Sequence, residues 1–348
     1  MRDNFKLCLV GSEFSQDDGQ GIFRVCQELY SNMKKRCKVE KIALGSSKNQ
    51  FKTIFNNILK SLFKVFRKKA DIYHFLMPEI ATPCFFKKPS VVTVYDVIPL
   101  ILKNERKKSF NLYFRLMMFF TKRADHFIVI SEATRQDLIK ICGIPEEKIT
   151  LIYIGVDHKK FFPIEHKEKN KKITIGFLGG LVKRKNATIL LDVAKLLENE
   201  NVHFKIGGKG AGLEELKLKK ERLGLKNVEF VGFIPEEELN EFYNSLDLFI
   251  APTTYDGFCM PALESMASGC AVIVSKTGAL PEVGGDAALL IDPYSAKDIA
   301  RKVKKFLNSD KLQSTMKEKS VKHAAKFQWD KQAKETFQVY KKVLEGKK

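Results

Sequence analysis

The segment from Tyr255 to Gly269 combines two acidic side chains with the start of a helix. It follows an apolar, strand-like run, and Pro261 suits the first turn of a helix because a proline there loses no hydrogen bond. The free N–H groups of that turn can hold phosphate oxygens. Asp256 and Glu264 are eight residues apart, so one carboxylate can face a sugar while the other accepts hydrogen bonds from the vicinal hydroxyls of a ribose. The alternative is that they only stabilise a helix dipole and the protein surface.

A basic turn, Lys183-Arg184-Lys185, is the second candidate for an anion site. It follows the apolar run 173–178, and Asn186 then begins the next helical pattern. A solvated surface turn is the more common explanation of three such charges taken alone. A glycine-rich segment from Asp18 to Ile22 lies between the first apolar run and the first helical pattern, and a flexible loop is the common explanation of such a segment taken alone.

The elements that position these side chains alternate between strands and helices. Continuous apolar strands separated by helical patterns predict parallel sheets covered on both faces. The polar segment His158–Lys172 is typical of a linker, and the tail from Ala296 to Leu344 is helical in pattern throughout. The predicted strands are Phe5–Val10, Val39–Leu44, Ile72–Phe75, Ser90–Tyr95, Phe127–Ile130, Ile149–Ile154, Ile173–Leu178, Val202–Ile206, Val228–Val231, Leu246–Ala251 and Ala271–Ser275.

The pattern therefore predicts an α/β protein built from two Rossmann-like domains, residues 1–165 and 166–330. Ligands in such folds bind beyond the carboxyl ends of the strands. We therefore expect the site in a cleft between two parallel sheets that face each other.

Composition excludes several classes of protein. The 348 residues are 44% hydrophobic and 29% charged, as in soluble globular proteins, and no apolar run approaches the ~20 residues of a membrane span. The N-terminus lacks the long apolar core of a secretory signal. Seven cysteines without a CxxC pair argue against a disulfide framework and a zinc site, so we expect a reducing cytosol and no bound metal.

The charge of +20 is concentrated in one region. Residues 51–123 hold 15 Lys and Arg but only 4 Asp and Glu. Such a surface attracts nucleic acid, anionic membranes or phosphorylated substrates. Because the chain lacks zinc-finger spacing and the aromatic pattern of RNA-binding domains, we expect no nucleic-acid partner.

Two apolar segments of this region are flanked by basic residues. Apolar residues in Phe51–Phe66 follow an unbroken helical stripe, which predicts a helix packed on the sheet or one lying on anionic lipid. In Lys107–Arg123 the apolar middle is nearly all-round, so burial and interfacial insertion both stay open. The basic face of the region favours an anionic membrane surface as a partner.

Several motifs together resemble those of glycosyltransferase family 4, the group 1 glycosyltransferases of GT-B fold. The Tyr255–Gly269 segment resembles the family's Glu-x7-Glu motif, and Phe177–Asn186 resembles its first C-terminal strand and phosphate-binding turn. The other matching segments are Ile128–Glu132, Ile154–Asp157, Leu280–Val283, Gly285–Ala288 and Phe327–Trp329, some of them typical of mannosyltransferase-like members. The resemblance covers nearly the whole chain and implies an N-terminal acceptor-binding domain, a C-terminal nucleotide-sugar domain and a terminal helix at 331–348 that crosses back to the first.

The resemblance also assigns roles to residues. Arg184 and Lys185 would neutralise the nucleotide diphosphate, Asp256 would lie near the hydroxyls of the donor sugar, and Glu264 would bind the ribose. No metal or other cofactor is implied, because fixed cations and helix N-termini can stabilise the leaving phosphate. The implied donor-binding residues are Gly19, Gly21, Gly180, Asn186, Gly257, Phe258, Cys259, Met260, Pro261 and Glu264.

The acceptor side departs from the family pattern. Val94–Leu100 resembles the family's acceptor-facing segment, with Asp96, but Tyr95 stands where a histidine is common. His74, at the end of a predicted strand, is a possible stand-in, although a packed or surface histidine is the more common explanation. Asp256 stands where the family has Glu, and Gly180 stands where many members have Arg.

The function implied is that of a retaining hexosyltransferase. It would move a hexose, with mannose first, from a GDP- or UDP-sugar to a hydroxyl of a glycan or lipid-linked acceptor. We expect it in the cytoplasm, on the inner face of the membrane. The alternatives are a catalytically weakened paralogue, which the replacements at positions 95 and 256 favour, and a GT-B sugar-nucleotide epimerase.

Overall fold

The structure, a computed structural model, describes residues 4–11, 21–44, 61–102, 108–164 and 172–346. The chain forms two compact units, one of Met1–Gly155 with Gln328–Lys348 and the other of Val156–Phe327. The C-terminal helix therefore belongs to the first unit. The boundary predicted between residues 165 and 166 lies outside the described residues.

The first unit contains a six-stranded sheet of order β2-β1-β3-β4-β5-β6, in which every pair is parallel. The strands are β1 Lys6–Gly11, β2 Lys38–Ala43, β3 Ile72–Phe75, β4 Ser90–Val94, β5 His126–Val129 and β6 Ile149–Leu151. The helices are α1 Gly21–Met33, α2 Ile98–Ile101, α3 Lys108–Thr121, α4 Glu132–Lys140 and α12 Trp329–Glu345, with a further helical stretch at residues 61–66.

Alternation along β1 shows why this sheet needs helices on both faces. Leu7 and Leu9 pack on one face in a cluster with side chains of α1 and α12. Cys8 and Val10 pack on the other face with side chains of α3, α4 and residues 61–66. All four are fully buried, as expected of a strand in a doubly covered parallel sheet.

His74 belongs to this packing and not to an acceptor site. Its Nδ1 lies 2.6 Å from the hydroxyl of Tyr340 on α12, and its Nε2 lies 2.8 Å from Oγ1 of Thr93 on β4. The ring is fully buried, and both nitrogens are engaged by protein. The suggested acceptor-side role of His74 is therefore wrong, because no ring nitrogen is left for a substrate.

We expect His74 to make the protein acid-sensitive. Burial lowers the pKa of His74 to about 3, against about 6.5 in an unfolded chain. Below pH 6.5 the unfolded chain binds a proton at this histidine and the folded chain does not. The free energy of unfolding should therefore fall by up to about 1.4 kcal/mol per pH unit until about pH 3. His74→Gln should be less stable at pH 7, yet should lose less stability between pH 7 and pH 5.

Urea unfolding at the two pH values measures this effect. Leu196→Ser, at an exposed site of the second unit that does not titrate, is the control and should keep the wild-type dependence on pH. Equal losses of stability in the wild type and His74→Gln would contradict the prediction.

The second unit has a six-stranded sheet of order β12-β11-β10-β7-β8-β9, again parallel throughout. Its strands are β7 Ile173–Leu178, β8 Val202–Gly207, β9 Val228–Gly232, β10 Leu248–Ala251, β11 Ala271–Ser275 and β12 Leu289–Ile291. The order reverses between β7 and β10, and the crevice at such a reversal is where doubly wound sheets bind ligands. The prediction of two Rossmann-like halves is confirmed.

The helices of the second unit cover both faces of its sheet. They are α5 Thr188–Leu196, α6 Leu213–Leu223, α7 Leu239–Asn244, α8 Met260–Ala267, α9 Leu280–Gly284, α10 Ala296–Leu307 and α11 Asp310–Ala324. The tail predicted to be helical throughout consists of three helices. The first break falls at Ser309, whose side chain accepts a hydrogen bond from the N–H of Leu312 at 3.2 Å and caps a new helix. The short strand β12 was not predicted.

Candidate functional site

The basic turn after β7 is a single 3₁₀ turn, Lys183–Lys185, held from both sides. The backbone N–H of Thr254, after β10, donates to the carbonyl oxygen of Arg184 at 2.8 Å. The Nδ2 of Asn186 donates to the carbonyl oxygens of Pro252 at 3.2 Å and Pro293 at 2.6 Å. The loops after β10 and β12 are thereby fixed to the loop after β7.

Asp256 carries the charge contacts of the site. Its Oδ1 accepts from Arg184 Nη1 at 3.0 Å, and its Oδ2 accepts from Lys185 Nζ. The residue is only 8% exposed. Burial acts to raise the pKa of the Asp256 carboxyl, but the charges of Lys185 and Arg184 outweigh it and hold that pKa below its ordinary value. The cluster therefore holds two cations and one carboxylate at neutral pH.

The turn after β11 fixes the backbone of Asp256. The N–H of Ala279 donates to the carbonyl oxygen of Asp256 at 3.1 Å. Gly278 has a φ of +56°, and a Cβ there would lie 2.7 Å from that same oxygen. Only glycine combines this left-handed backbone with so close an approach.

We expect Gly278→Ala to lower turnover at least tenfold, because the new Cβ must displace Asp256 from the two cations. Gly224→Ala is the matched control, since Gly224 has a φ of +64° but a Cβ added there would meet nothing within 4 Å. Both variants carry the ~1 kcal/mol penalty of a left-handed alanine, so equal losses of turnover at equal thermal stability would contradict the steric argument.

The helix that follows Asp256 begins with an unusual backbone. Among the described residues, the only non-glycine residues with positive φ are Asn186 and Cys259, at +57° and +74°. Cys259 is the N-cap of α8, no side chain caps this helix, and Pro261 lies in its first turn. Strained backbone of this kind is concentrated at ligand sites, and the uncapped first turn can bind an anion.

Two flanking residues of this loop are buried. Phe258 packs edge-on against Phe327 with ring centroids 5.9 Å apart, and burial raises the pKa of the Cys259 thiol to about 11. Phe258 is 4% exposed. These two side chains therefore support the loop, so a contact with a ligand would have to come from the backbone between Gly257 and Met260.

Glu264 lies one turn into α8 and is buried, with 4% of its surface exposed. Its Oε2 accepts a hydrogen bond from the hydroxyl of Tyr243 at 2.8 Å. Tyr243, on α7, is itself fully buried among Phe161, Phe242 and Phe249. The alternative of a surface glutamate is therefore wrong, and one carboxylate oxygen is oriented by a fixed donor.

Gly180 lies beside the cluster of Arg184, Lys185 and Asp256 and is exposed to solvent. A Cβ at Gly180 would meet nothing within 4 Å, whereas a Cβ at Gly208, after β8, would lie 1.8 Å from the carbonyl oxygen of Gly179. The backbone at Gly208 therefore packs directly against the backbone at Gly179, and Gly180 stays exposed. This arrangement admits a ligand close to the main chain.

The structure brings Arg184, Lys185 and Asp256 of the second unit into contact, and the predicted acceptor-side residues belong to the first unit. Gly19 lies outside the described residues, and Gly21 begins α1. Asp96 accepts from the backbone N–H of Ile98 at 3.0 Å, which holds the start of α2, and Tyr95 is 8% exposed. Three residues of the site were not predicted from the sequence: Tyr243, Thr254 and Gly278. Of these, only Gly278 lies in a segment whose residues indicate a turn, Ser-Lys-Thr-Gly-Ala at 275–279.

A metal centre would need several ligating side chains close together. Within the described ranges, no group of three or more His, Cys, Asp or Glu side chains is placed to hold a metal ion.

Two family models match the chain in succession. Residues 158–323 match the model described as glycosyl transferases group 1, and residues 21–160 match the model described as Glycosyltransferase Family 4. The chain belongs to glycosyltransferase family 4. The match places the basic turn and the Asp256 loop within the group 1 half of the family pattern.

Curated relatives of this family 4 protein cover part of its length. The D-inositol 3-phosphate glycosyltransferase of Corynebacterium jeikeium is 33% identical over 242 residues, which are 63% of this chain and 58% of that protein. The MMP alpha-(1->4)-mannosyltransferase of Mycolicibacterium hassiacum is 27% identical over 229 residues, 64% of this chain and 55% of that protein. The matches thus span little more than half of each relative.

A solved structure shows the same architecture. The sucrose-phosphate synthase from Thermosynechococcus elongatus superposes with a TM-score of 0.83 at 18% identity, covering 98% of this chain and 99% of that one. The GT-B fold expected of a family 4 member is confirmed.

Proposed function

We propose that this protein transfers a hexose from a nucleotide diphosphate sugar to a hydroxyl group of a glycan or lipid-linked acceptor. The observation that carries the proposal is the cluster of buried Asp256 with half-buried Arg184 and Lys185 at the reversal of strand order, beside the uncapped first turn of α8. Two fixed cations can stabilise the negative charge that builds on the departing phosphate. Glu264 would then accept from the ribose hydroxyls.

We propose mannose as the first sugar and retention as the stereochemical outcome. The relative from Mycolicibacterium hassiacum, named a mannosyltransferase, supports mannose. In a retaining reaction the attacking and leaving groups share one face of the sugar. The departing phosphate can then take the proton of the acceptor hydroxyl, so His74 is not needed as a base.

A screen of nucleotide sugars tests the proposal. The purified protein is incubated with UDP-, GDP- and dTDP-sugars, and thermal protection and hydrolysis are measured with and without EDTA. We expect one family of donors to protect and to be hydrolysed slowly, without a dependence on metal. An isomerised sugar nucleotide would indicate an epimerase, protection without turnover would indicate a weakened paralogue, and no protection by any donor would contradict the proposal.

We further propose that the first unit attaches to the cytoplasmic face of an anionic membrane. Seven exposed apolar side chains of this unit support the proposal: Phe63, Phe66, Phe85, Phe86, Leu112, Leu116 and Phe119, each at least 41% exposed. We call these seven residues the aromatic patch. Their exposure follows from packing, since Val65, Phe114 and Met118 of the same helices point to the core instead.

Four rings of the patch are linked by ring contacts. Phe66 contacts Phe86 with centroids 5.6 Å apart, Phe86 contacts Phe85 at 5.0 Å, and Phe120 links Phe85 to Phe119 at 6.5 and 5.7 Å. The cations of Arg67, Lys87 and Arg123 lie over rings of Phe63, Phe66 and Phe85, at 4.2, 5.4 and 5.4 Å from their centroids. Aromatic rings bracketed by cations match an interface between lipid tails and anionic headgroups.

No helix in the described part of the chain has the length and apolarity needed to cross a bilayer. The helical stripe is predicted over Phe51–Phe66, and its residues 51–60 lie outside the described residues, whereas residues 61–66 are helical. The seven cysteines are buried in the two units as thiols, which supports a reducing compartment.

We expect Leu112→Ser/Leu116→Ser/Phe119→Ser to abolish binding to phosphatidylcholine vesicles that contain phosphatidylglycerol. Arg67→Glu/Lys87→Glu/Arg123→Glu should also weaken binding, because each cation near anionic lipid contributes about 1 kcal/mol, and added salt should do the same. Sedimentation measures both. The control Leu196→Ser/Leu218→Ser, at exposed sites of the second unit, should bind these vesicles as the wild type does. Binding of the wild type to neutral vesicles as strongly as to anionic ones would contradict the prediction.

A further inference from the structure

Both carboxylate oxygens of Asp256 are occupied by cations of the same turn. Oδ1 accepts from Arg184 Nη1 at 3.0 Å, and Oδ2 accepts from Lys185 Nζ. The Arg184 guanidinium also lies 3.3 Å from the carbonyl oxygen of Tyr255. The side chain of Asp256 is thus directed at the basic turn, and its burial leaves little of it for a second partner.

Hydrogen bonds hold the backbone around these three side chains. The carbonyl oxygen of Arg184 accepts from the N–H of Thr254 and, at 3.1 Å, from its hydroxyl. The carbonyl oxygen of Asp256 accepts from the N–H of Ala279. With both main chains fixed, the length of the side chain at position 256 decides what it reaches, and an aspartate is one methylene shorter than the glutamate of the family motif.

We propose that Asp256 is a counter-ion and positioning residue, which holds Arg184 and Lys185 in place in the empty enzyme and gives up part of their charge to the diphosphate of the donor. It does not act as the ligand of the donor sugar that the family resemblance implies. This inference rests on the proposed function. The charges of the trio sum to one positive charge, so Asp256 competes with the diphosphate for the two cations while it keeps them ordered.

Neutralising the carboxylate separates the two roles. If Asp256 is the counter-ion, Asp256→Asn leaves two uncompensated cations and should bind inorganic pyrophosphate about tenfold more tightly, since a unit charge at this range is worth about 1–2 kcal/mol in a partly solvated site. The ratio of GDP-mannose affinity to GDP affinity should stay as in the wild type. If Asp256 is a sugar ligand, the affinity for pyrophosphate stays unchanged and that ratio falls.

Titration calorimetry with pyrophosphate, GDP, UDP, GDP-mannose and UDP-glucose makes the measurement. Misfolding weakens binding, so tighter binding by Asp256→Asn is not a structural artefact. Asp192→Asn removes a carboxylate paired with Lys219 at 2.7 Å elsewhere in the same unit and should change nothing.

The outcomes also distinguish this inference from the proposed function. A wild-type protein that binds none of the five probes contradicts the proposed function and the inference with it. A wild type that binds them, with an Asp256→Asn variant that binds pyrophosphate equally or more weakly, contradicts only the counter-ion role.

Discussion

Alanine in place of Arg184 or of Lys185 is expected to lower turnover by ~100-fold or more. Each substitution removes a fixed cation from the place where negative charge builds on the leaving phosphate, and such preorganised groups contribute mainly in the transition state. The measurement is the rate of sugar transfer, or of donor hydrolysis, at saturating donor. Lys183→Ala is the matched control, because Lys183 is in the same turn but exposed to solvent, and it should keep near-wild-type turnover.

Stability must be separated from catalysis in these variants. Removing one cation leaves the buried Asp256 with a single partner, which destabilises a protein, so the thermal midpoint should fall in both single variants. The double variant Arg184→Ala/Asp256→Asn removes the stranded charge and should recover stability without recovering turnover. Wild-type turnover in both single variants would remove the basic turn from the reaction.

Glu264→Ala is expected to weaken the binding of the free nucleoside diphosphate as well as that of the donor. The ribose contact persists after the sugar has left, and losing a charged acceptor of hydrogen bonds costs about 1.5–3 kcal/mol, or roughly 10- to 150-fold in Kd. Calorimetry with GDP and UDP measures the change. Pyrophosphate, which has no ribose, should bind to Glu264→Ala as it does to the wild type.

Two further variants locate the effect of Glu264. Tyr243→Phe removes only the donor that orients one carboxylate oxygen, so it should weaken binding less than Glu264→Ala does. Glu198→Ala, an exposed glutamate paired with Lys195 at 2.6 Å in the same unit, should leave affinity unchanged. An unchanged affinity for both diphosphates in Glu264→Ala would remove this residue from the site.

The sequence by itself determined the architecture. Largely apolar runs such as Ile173–Leu178 and Ala271–Ser275 form strands with the predicted bounds, because a strand covered on both faces buries nearly all of its side chains. The short strand Leu289–Ile291 escaped prediction because three residues at a sheet edge carry too little pattern. The break at Ser309 depends on one capping hydrogen bond, which an apolar period does not reveal.

Only the tertiary structure decided what the charged residues contact. The sequence placed Arg184, Lys185 and Asp256 at the ends of two strands, but strands seven and ten are neighbours only because the strand order reverses there. That adjacency pairs Asp256 with the two cations and brings Gly278 against its backbone. Likewise, the sequence could not say whether the apolar side chains of Lys107–Arg123 are buried or exposed, since hydrophobicity is a property of a residue whereas burial depends on the elements that pack against it.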